Sequence, residues 1–417
     1  MTIGLYTLTS PLHDQQALDA ASAQFLAEIE RELAAQDKIC TLILKGPDFS
    51  DFGAEDLSVV YVRTGGTEGL FKEVFGQVSR TPDGRIRPVR LLTSGKSNSL
   101  AASMEILSFL RLNDCPGEII HGSSRYIARR LKLLCEVEAA RKRLDGTRLG
   151  VIGQPSDWLI ASRADRAQVQ EKLGIELVDI PIEELIEEIK KRSYPQNGPV
   201  EALLQQADRM SEKVRAYREG ALHIYGGLKR IIEKYGLGGL TLRCFDLLGT
   251  VGNTGCLALA MLNAEGIPSG CEGDIPALLT MTVAQTLVGV SGFQANPSRI
   301  DPESGEVLFA HCTVPFDMLR SHTYDTHFES GIGVAIHGEL PEGKVTVFKL
   351  SGDLSRACII DAELLRNQYE GDLCRTQIVL QIGGAADYFL KNPIGNHHVI
   401  LPGHRTPLLE AFFAGLA

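Results

Sequence analysis

Apolar and polar positions follow two alternating periods along the first third of the chain. Short apolar runs at 2–8, 40–44, 57–62, 89–92 and 118–121 predict strands, and each is followed by a turn and a helical pattern. Leu18, Phe25, Ile29 and Leu33 keep near-helical spacing between Asp14 and Gln36, as do Leu100, Met104, Leu107 and Leu110 later. Such spacing lines one face of a 3.6-residue helix. Strands separated by helices of this length need crossover connections, which predicts a parallel, doubly wound sheet. Asp145-Gly146 closes this first domain, 1–146.

The pattern then restarts. Strands are expected at 148–152 and 176–180, followed by a charged helix over 182–192. After the break Tyr194-Pro195-Gln196-Asn197-Gly198-Pro199, Pro199 stands where a first helical residue belongs. One stripe runs through Val200, Leu203, Leu204, Ala207, Met210, Val214, Tyr217, Ala221, Ile224 and Leu228. It predicts a long helix interrupted at Gly226-Gly227. Strands at 240–245 and 268–271 complete a second α/β domain, 147–290. From about Val290, β-type runs at 307–310, 333–336, 344–350, 378–381 and 399–401 lie between Gly/Pro turns. Helical periodicity is scarce until the closing segment, where Thr406-Pro407 resembles an N-cap followed by an N1 proline. The fold class expected is therefore α/β: two doubly wound parallel-sheet domains followed by a β-rich C-terminal domain, 291–417. There is no internal repeat.

Composition narrows the function. With 417 residues, 44% hydrophobic and 23% charged, the chain has the makeup of a globular protein. A net charge of −10 without a Lys/Arg stripe argues against nucleic acid, whose affinity comes mainly from neutralised phosphates. No apolar run approaches the ~20 residues that span a bilayer. The first residues lack a basic stretch and cleavage pattern, so no secretory signal is expected. Nine cysteines without a C-x-x-C pair read as reduced thiols in a cytoplasmic protein.

Binding crevices in open α/β sheets lie beyond the carboxyl ends of strands. Polar turns occupy such places at Thr64-Gly65-Gly66-Thr67-Glu68, Ser94-Gly95-Lys96-Ser97, Gly122-Ser123-Ser124-Arg125 and Gly153-Gln154-Pro155-Ser156-Asp157-Trp158. Gly95-Lys96-Ser97 is no P-loop, because Arg90 stands where that motif needs glycine. Trp158, the only tryptophan, is either a packed aromatic or a face for a sugar ring. Seven of the ten histidines, His311, His322, His327, His337, His397, His398 and His404, crowd the last quarter of the chain, far above an even spread. With the acidic loop Cys271-Glu272-Gly273-Asp274, they supply what a metal site needs. Asp325, His327 and Glu329 would share one face if extended. Cys271 and Cys312, beside Glu272 and His311, leave a thiolate–zinc site as another reading. No G-x-S-x-G elbow is present.

The segment Ile267-Pro268-Ser269-Gly270-Cys271-Glu272-Gly273-Asp274-Ile275-Pro276-Ala277-Leu278-Leu279-Thr280-Met281 resembles the acidic-Gly-Asp then Ala-Leu segment of the L-fucose/L-arabinose isomerase superfamily. It is most similar to the shorter fucose isomerase-like proteins, with support from 64–68, 150–162, 242–248, 296–312, 327–331 and 395–403. The resemblance implies three domains, two α/β and one β-rich. It further implies interconversion of an aldose and a ketose through a cis-enediol, on a hexose, pentose, or deoxy or sulfonated sugar. Mn²⁺ or another divalent cation, and a homo-oligomer, are part of that expectation. Proton abstraction beside a carbonyl needs a base, and the charge on the sugar oxygens needs a cation.

Carried over by residue, Glu272 matches the first acidic ligand and candidate base, His311 the intermediate histidine, and His397 or His398 the last ligand. Asn296 stands where the family has its second acidic ligand, 24 residues after Glu272. Asp246, Asp274 or Asp301 could substitute for it, Asp246 and Asp274 being the candidate catalytic partners of Glu272. Trp158, Asn296, His327 and Glu68 are the candidate substrate contacts. The competing expectation is a catalytically silent sugar-binding relative marked by Asn296.

Overall fold

Val59, Val60, Tyr61 and Val62 are all buried, as a strand covered on both faces requires. In this computed structural model, which describes residues 1–35, 40–205 and 210–416, they belong to β3 (Leu57–Val62). With β1 (Thr2–Leu8), β2 (Thr41–Gly46), β4 (Val89–Thr93) and β5 (Gly117–Ile120) it forms a parallel sheet, ordered β2-β1-β3-β4-β5. Ile29, Leu33, Ile127 and Leu131 cover one face from the helices Gln15–Ala34 and Ser124–Leu144. Phe71, Val78, Ile106 and Leu110 cover the other from Glu68–Ser79 and Ser99–Leu112. This unit comprises Met1–Lys142 with Glu410–Ala417.

The second unit, Arg143–Leu409, contains a smaller parallel sheet and a barrel. Strands β6 (Arg148–Ile152), β7 (Glu176–Ile180), β8 (Gly239–Leu242) and β9 (Ser269–Cys271) run parallel in the order β7-β6-β8-β9. Next come β10 (Phe293–Asp301), β11 (Glu306–His311), β12 (Ser321–Asp325), β13 (Ala335–Glu339), β14 (Gly343–Leu350), β15 (Ala357–Gln368), β16 (Thr376–Gln381) and β17 (His398–Pro402). The β-rich region closes as an antiparallel barrel, β10-β11-β16-β15-β14-β17, with β12-β13 paired separately. One apolar core joins sheet and barrel, from Ile152, Leu240 and Leu242 to Phe293, Phe309, Val347 and Ile378.

Three expectations change. The stripe from Val200 to Leu228 belongs to two helices, Gly198–Gln205 and Glu212–Tyr235, the second opened by the Ser211 hydroxyl accepting from Val214 N. Ala207 of that stripe, like Gln36 at the expected end of the first helix, lies outside the described residues. Gly226-Gly227 does not interrupt the helix. A Cβ at Gly226 would stand 2.1 Å from Ser193 O, and one at Gly227 3.1 Å from Ile189, so these glycines permit close packing onto the helix Ile182–Lys190 and the segment that follows it. Finally, β15 was hidden in the sequence because Asp361, Glu363 and Arg366 interrupt its apolar run.

Candidate functional site

The turn after β9 is held in an unusual backbone conformation. Glu272 has φ 64° and Gly273 φ 72°, both left-handed, which a non-glycine residue adopts at a cost of about 1–2 kcal/mol. Several contacts hold it there. Ser156 N donates to Glu272 O at 2.9 Å, and Gly273 N donates to Leu242 O at 3.0 Å. A Cβ on Gly273 would meet Gln154 O and Pro155 Cα at 2.8 Å. The turn following β6 is thus packed directly on the turn following β9, at the carboxyl ends of the sheet. Asp274 then caps the helix Ile275–Val288, its Oδ1 accepting from Ala277 N at 2.8 Å.

Two histidines reach this turn from the barrel. His311 ends β11, and His397 immediately precedes β17. Their rings meet edge to face at 5.4 Å, and one donor atom each from Glu272, His311 and His397 lie within 4.8 Å of one another. His397 Nδ1 lies 2.8 Å from Asp274 Oδ2. Since an ionised carboxylate only accepts, Nδ1 carries the proton of this bond. Nε2 lies 3.4 Å from Glu272 Oε1, is buried, and has no hydrogen-bond partner. His311 uses Nδ1 on Thr313 Oγ1 at 2.9 Å. Beneath the group, buried Lys349 places Nζ 3.6 Å from Asp274 Oδ2.

These contacts set the charges. Burial pushes Glu272 upward, but His397, His311 and the Trp158 indole outweigh it and hold the carboxyl at about 2. Burial likewise raises Asp274, and Lys349 and His397 overcome that to leave it well below the usual carboxylate range. His397 is raised to about 9 because Asp274 and Glu272 outweigh its desolvation. Burial and neighbouring His397 lower His311 to about 4. At its raised value His397 carries a proton on Nε2 at neutral pH, which a bound cation would replace; that buried nitrogen without a partner, the Glu272 carboxylate oxygen and the His311 imidazole then fit a divalent cation. The Asp274–His397 bond is the kind of support that orients a metal-binding histidine.

The other expected residues fall in distinct places. Trp158 Nε1 donates to Glu272 Oε2 at 2.6 Å, and its ring stands edge-on to Phe245, which stands edge-on to His327. His398 is turned the other way. Its Nε2 is 3.0 Å from the Tyr388 hydroxyl, its ring packs against Phe389, and burial lowers it to about 3. Adjacent residues entering a strand project to opposite faces, so His397 takes the site and His398 the interior. Asp246 starts the short helix Asp246–Thr250 and pairs with Arg243 at 3.0 Å. Asn296 stands opposite Ala310 in the barrel, and its Oδ1 accepts from Asn396 at 3.1 Å, beside both histidine positions but without charge. Glu68 opens a helix of the amino-terminal unit.

Asp325, His327 and Glu329 do not share a strand face. β12 ends at Asp325, which pairs with Arg375 at 3.2 Å, and Gly331 N closes a turn onto His327 O. Among the described residues no thiol joins the donor group: Cys271 Sγ lies 2.9 Å from Cys244 Sγ, and Cys312 packs with Cys256. The thiolate–zinc reading therefore loses its ligands. Lys349 and Thr313 went unrecognised in the sequence. The visible signal for Lys349 was a charge inside the apolar run of β14.

No family model matches the chain. It is similar to proteins named sulfoquinovose isomerase. Those from Priestia aryabhattai and Priestia megaterium (strain ATCC 12872 / QMB1551) are each 26% identical over 266 residues, 61% of this chain and 59% of theirs. The protein of that name from Clostridium sp. (strain MSTE9) is 24% identical over 249 residues, 57% of this chain and 55% of its own. The chain thus spans about three fifths of the length of the curated relatives it matches. These relatives are named as sugar isomerases, in agreement with the resemblance seen in the sequence.

Proposed function

We propose that the chain is an aldose–ketose isomerase acting on a sulfonated hexose, the class named by its relatives, with Glu272, His311 and His397 holding a divalent cation. The observation that carries this reading is the convergence of one carboxylate and two imidazoles within 4.8 Å. The carboxylate suits a hard cation such as Mn²⁺, while the two imidazoles also suit Zn²⁺ or Fe²⁺. A divalent cation in such a site supplies positive charge beside sugar oxygens that become negative when the C–H next to a carbonyl is deprotonated.

The chain's own groups divide the remaining work. Asp274 holds the Nδ1 proton of His397 and so directs Nε2 toward Glu272. Both Asp274 oxygens are engaged, by Ala277 N and His397, and Asp246 is engaged by Arg243. Glu272 belongs to the donor group and is only partly buried, and it is the carboxylate we assign to move the proton from C2 of the aldose to C1 of the ketose. A carboxylate has about four lone-pair directions, enough for a ligand bond and a proton at separate positions. The Trp158–Phe245–His327 row offers an apolar edge for the sugar.

Protein stripped by chelation and reloaded with Mn²⁺ is expected to convert sulfoquinovose to its ketose and to release deuterium from C2 into water. Glu272→Gln should lower kcat by roughly 10²–10⁴-fold. Absence of both ketose and exchange across sulfonated and neutral aldoses would sink the assignment. Asn296 supports the second reading, a silent sugar-binding relative. That reading expects sugar to raise Tm without either turnover or exchange.

A further inference from the structure

The hydrogen bond between Trp158 and Glu272 divides the two carboxylate oxygens. Oε2 accepts from the indole N–H at 2.6 Å, while Oε1 lies 3.4 Å from His397 Nε2. An indole N–H can only donate, so it occupies one lone-pair direction on Oε2 whenever this geometry is kept. The terminal torsion of a glutamate is otherwise broad and close to two-fold, which would let either oxygen, or both, turn toward the histidines.

The indole itself is held. Phe245 stands against it edge-on at 4.9 Å, Leu159 N donates to Ser156 O at 2.9 Å, and Arg243 Nη1 donates to Pro155 O at 2.9 Å. Ser156 N is in turn bound to Glu272 O. Donor and acceptor are thus fixed to one another through backbone as well as side chain. Yet the Trp158 ring is half exposed, so burial of the ring does not explain its placement.

We propose that Trp158 is a positioning residue of the cation site: by occupying Oε2 it fixes the carboxylate plane and presents Oε1 alone to the space shared by His311 and His397. This rests on the reading of that group as a cation site. It goes beyond that reading in giving the tryptophan an orienting role distinct from sugar stacking.

Trp158 is the single tryptophan of the chain, so its fluorescence reports on the surroundings of this bond. Mn²⁺ titrated into the chelator-stripped protein is expected to quench that emission with the same midpoint as calorimetric binding, and Glu272→Gln should abolish the quenching. Trp158→Phe keeps a ring but no donor. It should weaken Mn²⁺ binding measured by calorimetry roughly 10–100-fold, the usual effect of losing a group that orients a ligand. Trp158→His, which restores a ring N–H, should recover part of the loss.

Trp158→Phe with wild-type Mn²⁺ affinity would overturn the proposal while leaving the cation site standing. Should that variant fail to fold, Trp158→Leu with wild-type Mn²⁺ affinity overturns it equally. Wild-type protein that binds neither Mn²⁺ nor Zn²⁺ nor Fe²⁺ removes both the proposal and the cation-site reading beneath it.

Discussion

Lys349 is a charged residue with its ammonium enclosed, and Asp274 is the countercharge within 3.6 Å. Desolvation lowers the lysine from its ordinary value, opposed by that carboxylate. Removing one member of a buried pair leaves an uncompensated charge and typically costs ~3–5 kcal/mol. Lys349→Met is therefore expected to lower the urea midpoint by a corresponding amount. Because Asp274 also holds Nδ1 of His397, the same variant should weaken Mn²⁺ binding in calorimetry. A substitution confined to packing would move the midpoint alone.

At the scale of elements, the site is assembled by ends: the turn after β6, the turn after β9, the last residue of β11 and the residue before β17. None of these four strands is a sheet neighbour of another: the turns after β6 and β9 flank β8, and the ends of β11 and β17 flank β10. Gly273 is the tightest point, since φ 72° and the 2.8 Å approach of Gln154 O leave no place for a methyl group. Gly273→Ala should cost at least ~1–2 kcal/mol from the left-handed backbone alone. It should also displace Glu272 from the histidines. The check is a lower Tm together with reduced Trp158 quenching by Mn²⁺.

For the molecule as a whole, the titrating groups fix a stability maximum. His397 is raised from 6.5 to about 9, so its contribution is full below pH 6.5 and is lost as pH rises through 9. His311 and His398 are lowered to about 4 and about 3, so the unfolded chain takes up their protons first and stability falls as pH drops below 6.5. Glu272 is lowered from 4.5 to about 2, adding a further loss as pH falls from 4.5 toward 2. Urea unfolding in the presence of chelator should therefore show greatest stability near pH 6.5, with decline on both sides. A flat profile between pH 5 and 9 would contradict the buried arrangement of these histidines.

Much of this was legible in the order of residues. Period-two and period-3.6 patterns fix strands and helices locally, so the two parallel sheets and the β-rich region followed from hydrophobic spacing. Glu272, His311 and the His397-His398 pair stood out by residue type and by the resemblance around Glu272. What the chain alone left open is set by contacts between residues far apart in sequence. Which of two adjacent histidines faces the site depends on the barrel face at the start of β17. Gly226-Gly227 look like a break until the backbone at Ser193 lies against them. The roles of Lys349, Asp274 and Trp158 come from partners 75, 123 and 114 residues away, namely Asp274, His397 and Glu272. Local pattern reports which face of an element is apolar, whereas a pairing between charges or donors exists only once the chain has closed around them.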